Sequence, residues 1–469
     1  MKKKNITIIL ILIILFIPVI YFSTNFFIGK DDKLRSIKDS LNPNLKSFVI
    51  KYFFPHKIIS RQEKVIVKKT KELQLLYKEL IHIELAFKQS NKDIKTDKAE
   101  NIELNNGYTL SKYNLVNGFY AGINNRFPGS GYIDFHLDNL FIISTRGVLG
   151  YTKNYSDQKG IIFNQIKNNI NEFISFKSFN DSGWHPVVAL RDLTIHKNKI
   201  FVSYIDEIKK DCWNTSVISG EINYDEIEFK QVFKSKQCVN SKNNKDNEFN
   251  VQSAGGRIVQ YDDNHIILTV GCYISRYLAQ DKNSINGKII KININTEEYE
   301  IVSMGHRNPQ GLYFDRDNNF ILETEHGPQG GDEINLIEIK DLDSNEIPNY
   351  GWAISSYGEH YGGKKESNIS KYEKYPLYKS HKEYGFIEPV HAFVPSIGIS
   401  QIEKIEKNQY VTSSLKDGSL YFFELNSDNQ LNNLKRVEVF ERTRDIVFKD
   451  NKLFLFLEDS ASLGIININ

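Results

Sequence analysis

The chain has 469 residues, of which 40% are hydrophobic and 12% aromatic, so it can build a full core and leans towards strands. Its 60 basic and 58 acidic residues leave a net charge of +2, which gives no case for nucleic-acid binding. The three cysteines and eleven histidines show no zinc-ligand spacing.

The first element is Met1-Lys-Lys-Lys-Asn5 followed by an uncharged apolar run from Ile6 to Ile28. At ~1.5 Å per residue such a run crosses a ~30 Å hydrocarbon layer. The preceding lysines orient it with the N-terminus in the cytoplasm. Residues 1–29 therefore read as a signal anchor, with a cleaved secretory signal as the alternative. Both readings put the remainder outside the cytoplasmic membrane, facing the periplasm or the cell exterior. Residues 30–106 form a Lys-rich connector with one helix expected over about Arg61 to Gln89. There Leu73, Leu76, Leu80, Ile83 and Phe87 recur at heptad spacing. Packing against the following domain and self-association both suit that stripe.

From Gly131 onward the chain repeats itself. Six segments share a short alternating strand, a polar turn with Asn, and a strongly apolar strand: Tyr132–Ser144, Asp192–Tyr204, Arg257–Val270, Gly311–Thr324, Ile399–Thr412 and Asp445–Leu457. The turn residues are Asn139, Asn198, Asn264, Asn318, Asn408 and Asn451, and Asn tolerates the left-handed backbone of tight hairpins. One hairpin cannot bury both faces, but blades around a ring can. The expected fold is an all-β, six-bladed β-propeller over 107–469, with a β-sandwich as the alternative. Cys212 and Cys238 flank two strand-like runs that a hairpin would bring together, so they are the expected disulfide pair if the thiols are not all free.

In a hairpin, the start of the first strand and the end of the second lie together. If all six line a channel, these junctions meet at one mouth. Arg191, Arg257 and Arg444 begin strands, Arg307 and Asn308 precede one, Arg146, Glu325 and Lys416 follow second strands, and Arg442 is close by. Converging Arg and Lys suit an anionic, carboxylate-bearing ligand. The densest segment, Gly305–Gly363, reads GHRNPQGLYF, TEHGPQGGDEINLI, NYGW and SYGEHYGG. Its Gly-Pro and Gly-Gly turns expose backbone carbonyls of the kind that bind calcium.

GHRNPQG and EHGPQGGDE resemble the glucose/sorbosone dehydrogenases, specifically the soluble PQQ-dependent aldose dehydrogenase type. The resemblance implies a six-bladed propeller holding pyrroloquinoline quinone (PQQ) and calcium at the channel mouth and oxidising a sugar or related small molecule. It implies that Arg307, Asn308 and Gln310 surround cofactor and metal, that the Gly327 and Pro328 carbonyls bind calcium, and that Lys416, Arg442 and Arg444 hold PQQ. Glu333 and Tyr350 would mark a second, structural calcium site. In Gln252-Ser-Ala-Gly-Gly-Arg257, Ser253 stands where the family has its proton-accepting His, and a Ser hydroxyl is no base near neutral pH. Arg146 and Cys272 also replace residues usual in the family, and Val390–Phe393 lacks its Trp-rich wall. Either another imidazole serves, such as His391 or His326, or the pocket binds a carbohydrate, envelope polymer or protein without oxidising it.

Overall fold

The computed structural model describes residues 42, 51, 55–88, 93–115, 119, 129–174, 177, 182, 189–340, 346–362 and 368–468. The expected anchor over Ile6–Ile28 lies outside them. No helix among the described residues is long and apolar enough to cross a membrane. Contacts divide the chain into Met1–Gln74 and Leu75–Asn469. The connector helix runs from Pro55 to Lys88, six residues longer at its start than expected. Proline is tolerated there because the first helical N–H has no partner to lose. Leu73, Leu76 and Leu80 on its heptad stripe are exposed. The side chains of Ile83 and Phe87 are not among those described.

Six sheets follow among the described residues, antiparallel except for Glu226–Ile227 beside Ile162–Asn168 in the first, and each is led by one of the six repeated hairpins. The innermost strands are Gly131–His136, Leu190–His196, Gly255–Gln260, Pro309–Asp315, Ile399–Glu406 and Thr443–Lys449, and each packs beside the next until the sixth returns to the first. The last blade takes its fourth strand from upstream, where Thr109–Asn114 pairs with Ser462–Asn467 and closes the ring. This closure is why the propeller needs chain from both ends of the domain. The sheets also extend before Gly107, since Ile94–Lys95 joins the first blade and Glu100–Glu103 the sixth.

Each gap between blades holds its own apolar cluster, which explains the unbroken apolar second strands. In Asn139–Ser144, Phe141 and Ile143 pack towards the second blade, and Leu140 and Ile142 towards the sixth. Both faces are buried, so period-two alternation with polar residues is absent. The turn asparagines do less for backbone geometry than expected. Only Asn451 of the six has a positive φ (57°). In three other turns the left-handed residue is Leu137, Lys197 or Asn319. A shared role is hydrogen bonding: the carbonyls of Asn198, Asn264, Asn408 and Asn451 accept an N–H from the end of the third strand or just beyond it. Cys212 and Cys238 form a disulfide with 5.3 Å between Cα atoms, and Cys272 is free and buried. The bridge ties the third strand of blade two, Cys212–Glu221, to a short strand, Val239–Asn240, paired beside it.

Candidate functional site

The starts of the inner strands open onto one cavity of about 840 Å³. Its wall includes Ser253, Arg307, Asn308, Gln310, Gly327, Pro328, Lys416, Arg442 and Arg444, so every residue assigned above to cofactor, first metal or catalysis is on it. Arg191 also lines it. Arg257 and Arg146, though buried, are not on the wall, and Glu325 lies behind it, accepting the Arg307 N–H at 2.5 Å.

Arg191 owes its position to Gly256, whose φ is +113° and whose hypothetical Cβ would come within 2.3 Å of the Arg191 Cβ. Its Nε donates to Gly255 O at 2.8 Å and its Nη2 to Gln310 Oε1 at 3.2 Å. Arg444 Nη1 donates to the same Gln310 oxygen at 3.0 Å. Gln310 thus joins two guanidiniums, and its amide donates to Asn308 Oδ1 at 3.0 Å. Asn308 and Gln310 are hydrogen-bonded into the wall, which makes them positioning residues for the cations around them.

Arg442 and Arg444 share Glu458, with Nε to carboxylate distances of 3.1 and 2.6 Å. Burial would raise the Glu458 carboxyl, but Arg444 and Arg442 outweigh it and hold it at about 2. Glu458 was not expected, although it follows the second strand of the sixth hairpin and the junction rule applied to it. Asp332, also unexpected, is the other carboxylate on the wall. Its oxygens accept from Gly327 N at 3.2 Å, Gly398 N at 2.6 Å and Ile399 N at 3.0 Å. Arg307 donates to His326 O at 2.9 Å and lies 5.5 Å from the Trp352 ring and 5.8 Å from Tyr361. Lys416 is exposed, its Nζ 3.3 Å from Ser396 O.

Among the described residues, five cations, Arg191, Arg307, Lys416, Arg442 and Arg444, therefore face two carboxylates, an excess of three positive charges. Arg191 is only 5% exposed and, among the described residues, bonds to no carboxylate. A buried cation without an acid is costly, and an anionic ligand relieves that cost. These features fit a polycarboxylate such as PQQ. The fit to calcium is narrower. Gly327 and Pro328 offer neutral carbonyls, and Asp332 already accepts three N–H groups, so most of the countercharge must come from the ligand.

Among the described residues, the imidazole on the wall is that of His326. Burial, helped by Arg307 and Arg444 against Asp332, lowers it to about 4. His391 lies on the outer strand His391–Phe393 of blade four and does not line the cavity. Glu333 and Tyr350 are buried away from the cavity wall, with the His381 ring beside both.

Fold and site together define a six-bladed propeller with a cation-lined cavity at one end of its channel. Residues 163–467 match the family described as Glucose / Sorbosone dehydrogenase, and the chain belongs to that family. Aldose sugar dehydrogenase YliI of Escherichia coli K12 is 25% identical over 229 residues, covering 44% of this chain and 57% of that protein. Quinoprotein glucose dehydrogenase B of Acinetobacter calcoaceticus is 35% identical over 96 residues, 18% of each chain. The chain thus spans between 18% and 57% of the length of these curated relatives. The apo form of the soluble E. coli aldose sugar dehydrogenase shares the fold, with a TM-score of 0.56 at 20% identity, covering 72% of this chain and 96% of that one.

Proposed function

We propose that the cavity binds PQQ together with calcium and oxidises an aldose or related alcohol outside the cytoplasm, with turnover held down by Ser253. The observation that carries this is the excess of cations on one wall, including a buried Arg191 without an acid. In this reading Lys416, Arg442 and Arg444 hold the carboxylates of PQQ, Arg307 closes the side wall against Trp352, and the Gly327 and Pro328 carbonyls share calcium with the cofactor. PQQ when bound would supply the acceptor for a hydride, which carries both electrons of the oxidation. The chain's own part is to orient the sugar and accept the hydroxyl proton. The Cys212–Cys238 bridge supports an oxidising compartment, in keeping with an anchor at Ile6–Ile28 and a propeller outside the membrane.

A second reading is a cavity that binds a carbohydrate, envelope polymer or protein without redox chemistry. The lack of a strong base among the described wall residues favours it: Ser253 is on the wall, His326 is a weak base, and Glu458 and Asp332 already accept hydrogen bonds. A dye-linked assay over a panel of aldoses separates the two. Protein loaded with PQQ and calcium should reduce dye slowly. Ser253→His should raise the rate by as much as ~10²–10⁴-fold, the usual contribution of a general base. Bound PQQ with no dye reduction in either protein would establish the second reading.

A further inference from the structure

The resemblance implies a structural calcium site at Glu333 and Tyr350, whose available oxygens here are the Glu333 carboxylate and the Tyr350 carbonyl, and the residues around that pair do not fit one. His381 lies between them. Its Nδ1 is 2.9 Å from Tyr350 O and 3.0 Å from Ser355 Oγ, and its Nε2 is 3.3 Å from Glu333 Oε1. The ring is 1% exposed, so no solvent separates it from either oxygen. A calcium ion at about 2.5 Å from each of two oxygens spans about 5 Å. An imidazole reaching one oxygen from each nitrogen spans more than that and fills the space between.

His381 is also held there by the fold. Glu388 Oε1 accepts the backbone N–H groups of His381 and Lys382, both at 2.8 Å, and Glu388 Oε2 accepts from Tyr357 OH at 2.7 Å. Gly351 leaves the room the ring needs: with φ at +89°, a Cβ there would lie 2.8 Å from His381 Nδ1 and 2.1 Å from Ser355 Oγ. Two residues before His381, Lys379 does the same for the next carbonyls of this loop. Its Nζ donates to Ser356 O at 3.3 Å and to Gly358 O, and pairs with Glu359 at 3.0 Å. One short segment therefore delivers two basic side chains onto the carbonyls of the 350–358 loop.

We infer that the Lys379–His381 segment is this chain's own clamp on the 350–358 loop and stands in the place of a divalent ion at Glu333 and Tyr350. The inference does not rest on PQQ binding, since this loop pair is not on the cavity wall. Crystals of the full chain soaked in terbium(III) and measured at a terbium absorption edge locate lanthanide ions in calcium sites individually. The wild type should show no anomalous peak within bonding distance of the Glu333 carboxylate and Tyr350 O. His381→Ala should gain a peak there, and His381→Ala combined with Glu333→Gln should lose it again. A wild-type peak at that position, with the ring displaced, would overturn the inference, as would a folded His381→Ala protein that gains none. If His381→Ala does not fold, the wild-type map decides alone. A peak at Gly327 and Pro328 in any of these crystals bears on the cavity reading and leaves this one untouched.

Discussion

Two layers of the same channel use arginine differently. Below the cavity wall, Arg257 is 3% exposed and its Nη1 meets Asp192 at 2.8 Å and Asp445 at 2.7 Å. Its remaining donors go to Gln310 O and Arg444 O. At the wall, Arg191 is almost as buried but meets only a carbonyl and an amide oxygen. Both begin inner strands and look alike in sequence. The carboxylates that accompany an arginine, rather than its position on a strand, separate one that holds blades together from one that is proposed to meet a ligand.

The sharpest way to break this comparison is to remove each arginine in turn. Arg257→Met strands two buried carboxylates and should cost about 3–5 kcal/mol of stability in urea unfolding. Arg191→Met leaves no stranded charge and should change stability by no more than about 1 kcal/mol, while weakening any anionic ligand. Equal losses in the two variants would mean that both arginines are structural.

A smaller effect, confined to acid, tests whether Glu458 belongs to the wall's charge balance. Its carboxyl is held at about 2 against an ordinary 4.5. A depressed folded value contributes stability that is complete above the unfolded value and is lost as protons bind, from about pH 4.5 down to about 2. Glu458→Gln should therefore be less stable at neutral pH and should lack this part of the acid slope. An unchanged slope would show that Arg442 and Arg444 do not hold Glu458 as described.

The ring of blades was legible because each hairpin has to bury both faces of its second strand, and a run such as Lys452–Leu457 shows that directly. The meeting of Arg191, Arg307, Lys416 and Arg444 followed from hairpin geometry alone. The same rule reached Glu458 but was applied only to cations and to Glu325. Asp332 escaped because it begins a third strand, where the junction rule is silent. Ile94–Lys95 and Glu100–Glu103 escaped because edge strands rich in Lys and Glu carry no apolar alternation. His381 could not be read at all. It meets Tyr350 across 31 residues from an irregular loop, and no periodicity announces such a contact.

The central claim is that the surplus of cations on the cavity wall exists to hold PQQ. Equilibrium titration of the purified protein with PQQ in the presence of calcium, followed by the absorbance of the quinone, tests it most directly. Saturable binding at one site per chain, weakened at least about tenfold in Arg444→Met for the loss of a charged hydrogen bond, is the predicted result. No saturable binding, or binding indifferent to Arg444→Met, would contradict the account.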